Sequence, residues 1–330
     1  MVDVEKEKEK NQKQEIWMDN KFVKWDDAKI HVLTHGLHYG TGVFEGIRCY
    51  NTVKGPALFR LSEHIQRFLY SGKIYFMNIG YSKEELEKIV IELIKRNGVD
   101  ECYVRPIAFY GYGKMGVNPL PNKVSIAIAL WKWDEYLKPK AGEGNNSGNK
   151  SSNVDYEEGI RVIVSNWTRI DPRSMPVHAK ATANYANSAL ARVEALKAGF
   201  DEAILLNSYG KVVEASAENI FMVKDNVLVT PPSSSGSLNG ITRDAVLTLS
   251  KENNIETKIA DFTKDELYIA DEVFLTGTAA EIKPIVEIDN RIVGDGKMGD
   301  MTKKLKKMFR EVVSGNDKKF SKKWLRYVNK

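Results

Sequence analysis

Residues 176–190, PVHAKATANYANSAL, place one lysine, Lys180, between Ala179 and Ala181, just where an extended lead-in gives way to a helix. Tyr185, Ala189, Val193 and Leu196 recur at helical spacing, and Gly199 stands where a helix favours a left-handed terminal residue. The spacing predicts a helix over 182–198 with those four residues as one buried stripe. Upstream, RVIVSNW reads as a strand; downstream, EAILLN, KVVEA, ENIFMV and NVLVT read as a meander of short strands. Helix and sheet are therefore mixed without strict alternation, which makes the class α+β rather than a doubly wound sheet.

Working outward, the N-terminal half has its own strand and helix signals. IWMDNKFVKW reads as a hairpin about Asp19-Asn20, and GVFEGIRCY with ALFRL as a second strand pair joined by NTVKGP. A helix is expected from about Ser62 to Phe76. Ser82, with Glu85 three residues on, forms a capping box for a second helix that Gly98 ends. The strands ECYVRPIAFYG and KVSIAIALW follow. Lys138 to Glu158 is a Gly/Asn/Ser/Lys stretch that cannot bury a core. A chain of 330 residues exceeds the usual single core, so two domains are expected. The boundaries read as a charged tail over 1–14, a small N-terminal domain over 15–137, a linker over 138–158 and a larger C-terminal domain over 159–330 that carries Lys180.

Composition excludes several classes. With 42% hydrophobic and 28% charged residues the chain is globular, and no apolar run reaches the roughly 20 residues that span a bilayer. The charged N-terminus lacks a signal peptide's apolar stretch, so the cytoplasm is the expected location. Cys49 and Cys102 each lie in strand-like apolar segments and suggest buried filler rather than a disulfide framework. The net charge of +5 is uneven: residues 297–330 carry +9 and the remainder −4. In that basic tail Leu305, Met308, Phe309, Val312 and Val313 recur at helical spacing. Lys303, Lys304, Lys306 and Lys307 then read as a solvated helix face, not a nucleic-acid surface.

No G-x-S-x-G, H-E-x-x-H, Walker loop or G-x-G-x-x-G is present. His31, His35 and His38 lack a carboxylate at matching spacing, so no metal site is expected. The positive signals lie elsewhere. Lys180 among small apolar residues is either a snorkelling lysine or a desolvated amine of the kind that forms Schiff bases. NGITRDAV is a turn at Asn239-Gly240 feeding a helix. That puts the amides of Ile241 and Thr242 where a plain cap or a phosphate could sit. FLTGTAAEI ends a strand in Gly277-Thr278-Ala279, an ordinary loop or an anion nest. Arg67 has Glu63 at i−4 as a default surface partner, or offers a guanidinium to a phosphate.

Seven strings together carry a resemblance: HGLHYGTGVFEGIRCY, YVRPIAFYG, GKMGVNP, AKATANY, EASAENIF, NGITRD and DEVFLTGTAAEI. Over about Trp17 to Lys330 the chain resembles the branched-chain amino acid aminotransferases. These belong to the class IV, fold type IV pyridoxal-phosphate enzymes, which have a D-amino-acid aminotransferase-like two-domain fold. Departures are the charged tail, the long linker and Ala-Thr-Ala after the lysine. The resemblance implies pyridoxal 5′-phosphate as cofactor and Lys180 as the Schiff-base and proton-transfer residue. It puts Glu214 on the pyridine nitrogen, Tyr185 on O3′, Leu238 on the ring face, and Arg67, Gly240, Ile241, Thr242 and Thr278 at the phosphate.

For substrates the resemblance implies a pocket walled by Phe44, Trp133 and Tyr136, with Tyr39 and Val117 reaching in from a neighbouring subunit, hence at least a homodimer. Tyr103 with the Thr278 and Ala279 amides would hold the α-carboxylate, and Arg105 the γ-carboxylate of glutamate or 2-oxoglutarate. The implied reaction is ping-pong amino transfer between Leu, Ile or Val and 2-oxoglutarate. A D-amino-acid transaminase and an aminodeoxychorismate lyase are rivals within the same fold, and a non-catalytic basic binding protein is the rival outside it.

Overall fold

The computed structural model describes residues 13–132 and 159–329, so Trp133, Tyr136, the expected linker and all but residues 13 and 14 of the expected tail lie outside the described residues. The chain forms two compact units. The first takes the described residues up to 132, then Ala179–Ala183, then those from Val312 on; the second takes 159–178 and Asn184–Glu311.

In the first unit the strands are β1 (Glu15–Met18), β2 (Lys21–Lys24), β3 (Gly42–Phe44), β4 (Ile47–Thr52), β5 (Gly55–Phe59), β6 (Cys102–Tyr110) and β7 (Val124–Trp131). With Leu325–Tyr327 at one edge they form one sheet in the order Leu325–Tyr327, β5, β4, β6, β7, β1, β2, and β3 also pairs with β6. The β1–β2 turn is the expected Asp19-Asn20, both at positive φ (44° and 73°), which matches the twist of a tight hairpin. The helices are α1 (His35–Tyr39), α2 (Leu61–Ile74) and α3 (Lys83–Asn97). Ser82 and Glu85 close the predicted capping box at the start of α3, and Gly98 ends it at φ 58°. Ile65 and Phe68 of α2 and Val90 and Leu93 of α3 are buried with Ile47, Leu58 and Ile128 of the sheet.

The expected strand GVFEGIRCY is broken at Glu45-Gly46 into β3 and β4. A Cβ on Gly46 would fall 1.8 Å from the Tyr103 hydroxyl, so only glycine allows that ring to lie against the break. Cys49 and Cys102 face each other across β4 and β6, both fully buried.

The second unit contains β8 (Ile160–Val164), α4 (Asn184–Lys197), β9 (Glu202–Leu206), β10 (Val212–Ala215), β11 (Asn219–Lys224), β12 (Val227–Thr230), α5 (Ile241–Glu252), β13 (Thr257–Ile259), α6 (Lys264–Tyr268), β14 (Glu272–Gly277), β15 (Glu281–Ile288) and β16 (Arg291–Ile292). The helix α7 (Asp300–Val313) follows, and then α8 (Phe320–Trp324) in the first unit. The sheet runs β10-β9-β8-β15-β14-β11-β12-β13, with β16 on β15. The β8–β9, β8–β15 and β12–β13 pairs are parallel and the rest antiparallel, a mixed sheet as expected of the α+β class. On α7, Thr302, Leu305, Phe309 and Val312 are buried while Lys303, Lys304 and Lys307 are exposed.

Two expectations need correction. The predicted stripe on α4 is not the buried one: Asn184, Ser188, Ala191 and Ala195 are buried, whereas Ala189, Val193 and Leu196 are exposed and Tyr185 half-buried. Periodicity finds a helix but cannot say which of two small or polar faces packs. Lys180 also does not travel with the 159–330 block. Ala179–Ala183 is stitched into the first unit, where Ala181 bridges Val43 and Thr182 N–H donates to Gly42 O at 2.9 Å.

Candidate active site

In the first unit, backbone pairing fixes the lysine. Phe44 N–H donates to Lys180 O at 2.9 Å, and Lys180 N–H donates to Ser71 Oγ on α2 at 3.0 Å. Lys180 thus lies beside the end of β3, with Ala179 and Ala181 buried on either side. Its Nζ sits 5.0 Å from the Phe44 ring centroid. The Arg105 guanidinium lies 4.9 Å from the same ring, 5.4 Å from that of Tyr103 and 5.5 Å from that of Trp131. Tyr103, Arg105 and Trp131 share a face because residues two apart on β6 point the same way and Tyr103 pairs with Trp131 across to β7. Arg105 Nε is buried without a hydrogen-bond partner among the described residues.

Next to this group is a buried charge cluster that no local pattern announced. Glu45, fully buried, accepts from His64 Nδ1 at 2.7 Å, from Arg67 Nε at 2.6 Å and from Arg67 Nη2 at 2.9 Å. The default partner read for Arg67 was Glu63, but Glu63 takes Arg60 at 2.7 Å. Burial alone would raise the Glu45 carboxyl, but the Arg67 charge and the hydrogen bonds from His64 and Arg67 hold it well below the usual carboxylate range. Burial lowers His64, and the nearby Arg67 and Lys180 charges add to this against the pull of Glu45. The imidazole is accordingly neutral and gives its Nδ1 proton to Glu45. One signal was available: an acid inside the apolar run GVFEGI marks a buried charge that must find partners.

In the second unit, Glu214, Leu238, Gly240, Ile241 and Thr242 gather around Asn219. Glu214 is nearly buried and pairs with Arg169 at 2.9 Å. Its Oε2 accepts from Leu238 N at 3.2 Å and from Asn219 Nδ2 at 3.4 Å, and Asn219 also donates to Leu238 O at 2.9 Å. A Cβ on Gly240 would lie 1.8 Å from Asn219 Oδ1, so glycine is needed there. Gly240, the N-cap of α5, has no side chain of its own to cap the helix, and the positive end of the helix dipole lies at Ile241 and Thr242. Asn219 pairs with Thr276 across β11 and β14, so Thr278 and Ala279 follow two and three residues beyond that register point. Tyr185 occupies the first turn of α4.

In the first unit an anchored amine suits an aldehyde. In the second, a carboxylate held by an arginine suits a basic ring nitrogen, and the N-terminal end of a helix suits a phosphate. Tyr39 and Val117 occupy exposed positions of the first unit. Among the described residues no three or more His, Cys, Asp or Glu are placed to hold a metal, and no helix is long and apolar enough to cross a membrane.

The family model for amino-transferase class IV matches residues 42–288, and the chain belongs to that family. Within it, the chain is similar to the branched-chain-amino-acid aminotransferases of Salmonella typhimurium and Pseudomonas aeruginosa. The first is 42% identical over 301 residues and the second 43% over 300, each covering 91% of this chain and 93% of the relative. Among solved structures, the Escherichia coli branched-chain aminotransferase superposes with a TM-score of 0.88 at 41% identity, covering 96% of this chain and 99% of that one. A branched-chain amino acid aminotransferase of T.th. does so with a TM-score of 0.87 at 44% identity and the same coverage. The latter has been seen with pyridoxamine 5′-phosphate, with N-(5′-phosphopyridoxyl)-L-glutamate and with 4-methylvaleric acid.

Proposed function

We propose that the chain is a branched-chain-amino-acid aminotransferase that uses pyridoxal 5′-phosphate to exchange an amino group between leucine, isoleucine or valine and 2-oxoglutarate. The observation that carries this reading is the shared Phe44 ring: a lysine amine lies against it, and so does an arginine whose buried Nε–H finds no hydrogen-bond partner among the described residues. One cation serves the reacting amino group and the other the distal carboxylate of the acidic substrate. Membership in the class IV aminotransferases and close likeness to branched-chain enzymes over nearly the whole chain support the same conclusion.

When bound, the cofactor supplies an aldehyde carbon that takes an amine and a pyridine ring that accepts electrons from the substrate's α-carbon. Lys180 Nζ would hold the aldehyde and would move the substrate's α-proton. The Glu214 carboxylate keeps a proton on the ring nitrogen, and Arg169, 2.9 Å away, fixes that carboxylate in place. Tyr185 donates to the ring oxygen and Leu238 packs the ring face. Arg67, Gly240, Ile241, Thr242 and Thr278 take the phosphate. Phe44, Trp133 and Tyr136 wall the side-chain pocket, Tyr103 with the Thr278 and Ala279 amides takes the α-carboxylate, and Arg105 takes the γ-carboxylate. Tyr39 and Val117 complete the pocket of a second copy. That role is supported by the exposed apolar surface of Val32, Leu37, Tyr39, Tyr112, Val117 and Leu120. The active form is thus at least a homodimer, and its place is the cytoplasm.

Borohydride reduction of the cofactor-loaded protein followed by peptide mapping tests the central assignment. The label is expected on Lys180, and Lys180→Ala should take no label while melting as a folded protein. A label on another lysine overturns the assignment.

A further inference from the structure

One pocket that accepts both leucine and glutamate has an electrostatic difficulty. When glutamate binds, its distal carboxylate neutralises Arg105. When leucine binds, its side chain excludes water from the same guanidinium and offers nothing in return. Yet Arg105 is already surrounded by three aromatic rings, at 4.9, 5.4 and 5.5 Å from its centre. It stands opposite Ala129 in the β6–β7 ladder, a small neighbour that leaves room for the rings. A cation over an aromatic face gains more as water is removed, and gains less once an anion has compensated its charge.

We propose that Trp131 is a specificity-determining residue. With Phe44 and Tyr103 it forms a π cage that stabilises the Arg105 guanidinium whenever an aliphatic substrate leaves it without a carboxylate. The inference rests on the reading that Arg105 receives the acidic substrate's distal carboxylate. Of the three rings Trp131 gives the cleanest test. Phe44 also touches Lys180, and Tyr103 is pinned against Gly46, whereas among the described residues the ring contacts of Trp131 are with Tyr103, at 5.1 Å, and Arg105. Trp131 was not singled out by the sequence strings, which pointed to Trp133. The strand register is what brings residue 131 to the arginine.

The experiment measures single-turnover half-reactions of the holoenzyme with leucine and with glutamate, alongside calorimetric binding of 4-methylvaleric acid and glutaric acid. Trp131→Leu is expected to weaken the leucine half-reaction and 4-methylvaleric acid binding by about two- to thirty-fold. Glutamate and glutaric acid should change less than leucine does. Trp131→Phe, which keeps a π face, should recover most of the loss. Trp131→Met repeats the test with a flexible side chain should leucine pack poorly. Equal losses for both substrates, or no recovery with phenylalanine, would overturn the cage and leave Trp131 an ordinary wall. Arg105→Ala separates the two readings. If it fails to select against glutamate, the reading of Arg105 itself is wrong. If it does select while Trp131→Leu does not, only the cage is wrong.

Discussion

Glu45 in the first unit and Glu214 in the second are both buried glutamates facing an arginine, but their surroundings differ. Glu45 has no exposed surface and is gripped by three donors within 2.9 Å, two of them from one guanidinium. Glu214 keeps a little exposure, and its Oε2 contacts with Leu238 and Asn219 stretch to 3.2 and 3.4 Å. Short bidentate contacts satisfy a carboxylate and leave it nothing further to do. At Glu214 one oxygen pairs with Arg169 at 2.9 Å, and the longer contacts to the other hold it less tightly. The first arrangement suits anchoring a helix to a strand break, the second suits proton chemistry on a ring nitrogen.

The largest expected effect comes from breaking the closed cluster. Glu45→Ala strands Arg67 and His64 near the core and should cost about 3–5 kcal/mol in urea unfolding. A cost near zero would mean that water replaces the carboxylate and that the two glutamates are alike. Next is Glu214→Gln. An amide still accepts from Leu238 N but leaves the buried Arg169 without its counter-charge, so stability should fall by about 1.5–3 kcal/mol. Turnover, however, should drop about a hundredfold or more, because an amide cannot stabilise a charged ring nitrogen. Near-normal turnover would assign that role to another carboxylate.

The smallest effect concerns pH. His64 has a lowered pKa in the folded state, so its contribution is complete above the unfolded value of roughly 6.5 and is lost as pH falls below it. The Glu45 carboxyl is also held low. Its share persists above the unfolded value of about 4.3 and disappears only as pH falls further, through the folded value. Unfolding free energy should therefore decline between pH 7 and pH 5, and His64→Gln should flatten that decline. An unchanged slope would mean that His64 is not the group that titrates.

Local signals explain what was legible in the sequence. The Asp19-Asn20 hairpin, the Ser82–Glu85 capping box and the glycine ends at Gly98 and Gly199 all follow from interactions within a few residues. The helix start at Gly240 and the lysine between two alanines were likewise visible as candidate sites. What was not legible depends on long separations. His64 and Arg67 meet an acid 19 and 22 residues away, and the i−4 rule pointed Arg67 to Glu63 instead. The packed side of α4 and the edge strand Leu325–Tyr327 are chosen by tertiary neighbours, not by periodicity. Trp131 reaches Arg105 only through the β6–β7 register, which no motif string encodes.

The seam that holds Lys180 also sets an order of events during synthesis. Thr182 meets Gly42 across a separation of 140 positions, and Lys180 meets Ser71 across 109. A ribosome making the chain from its N-terminus exposes β3 and α2 long before their partner strip exists. That side of β3 must wait for the strip, and long loops of this kind close slowly. Because the strip is the lysine's own segment, the step that seals this edge of the first unit is also the one that installs its amine. The amine arrives with the fold that restrains it.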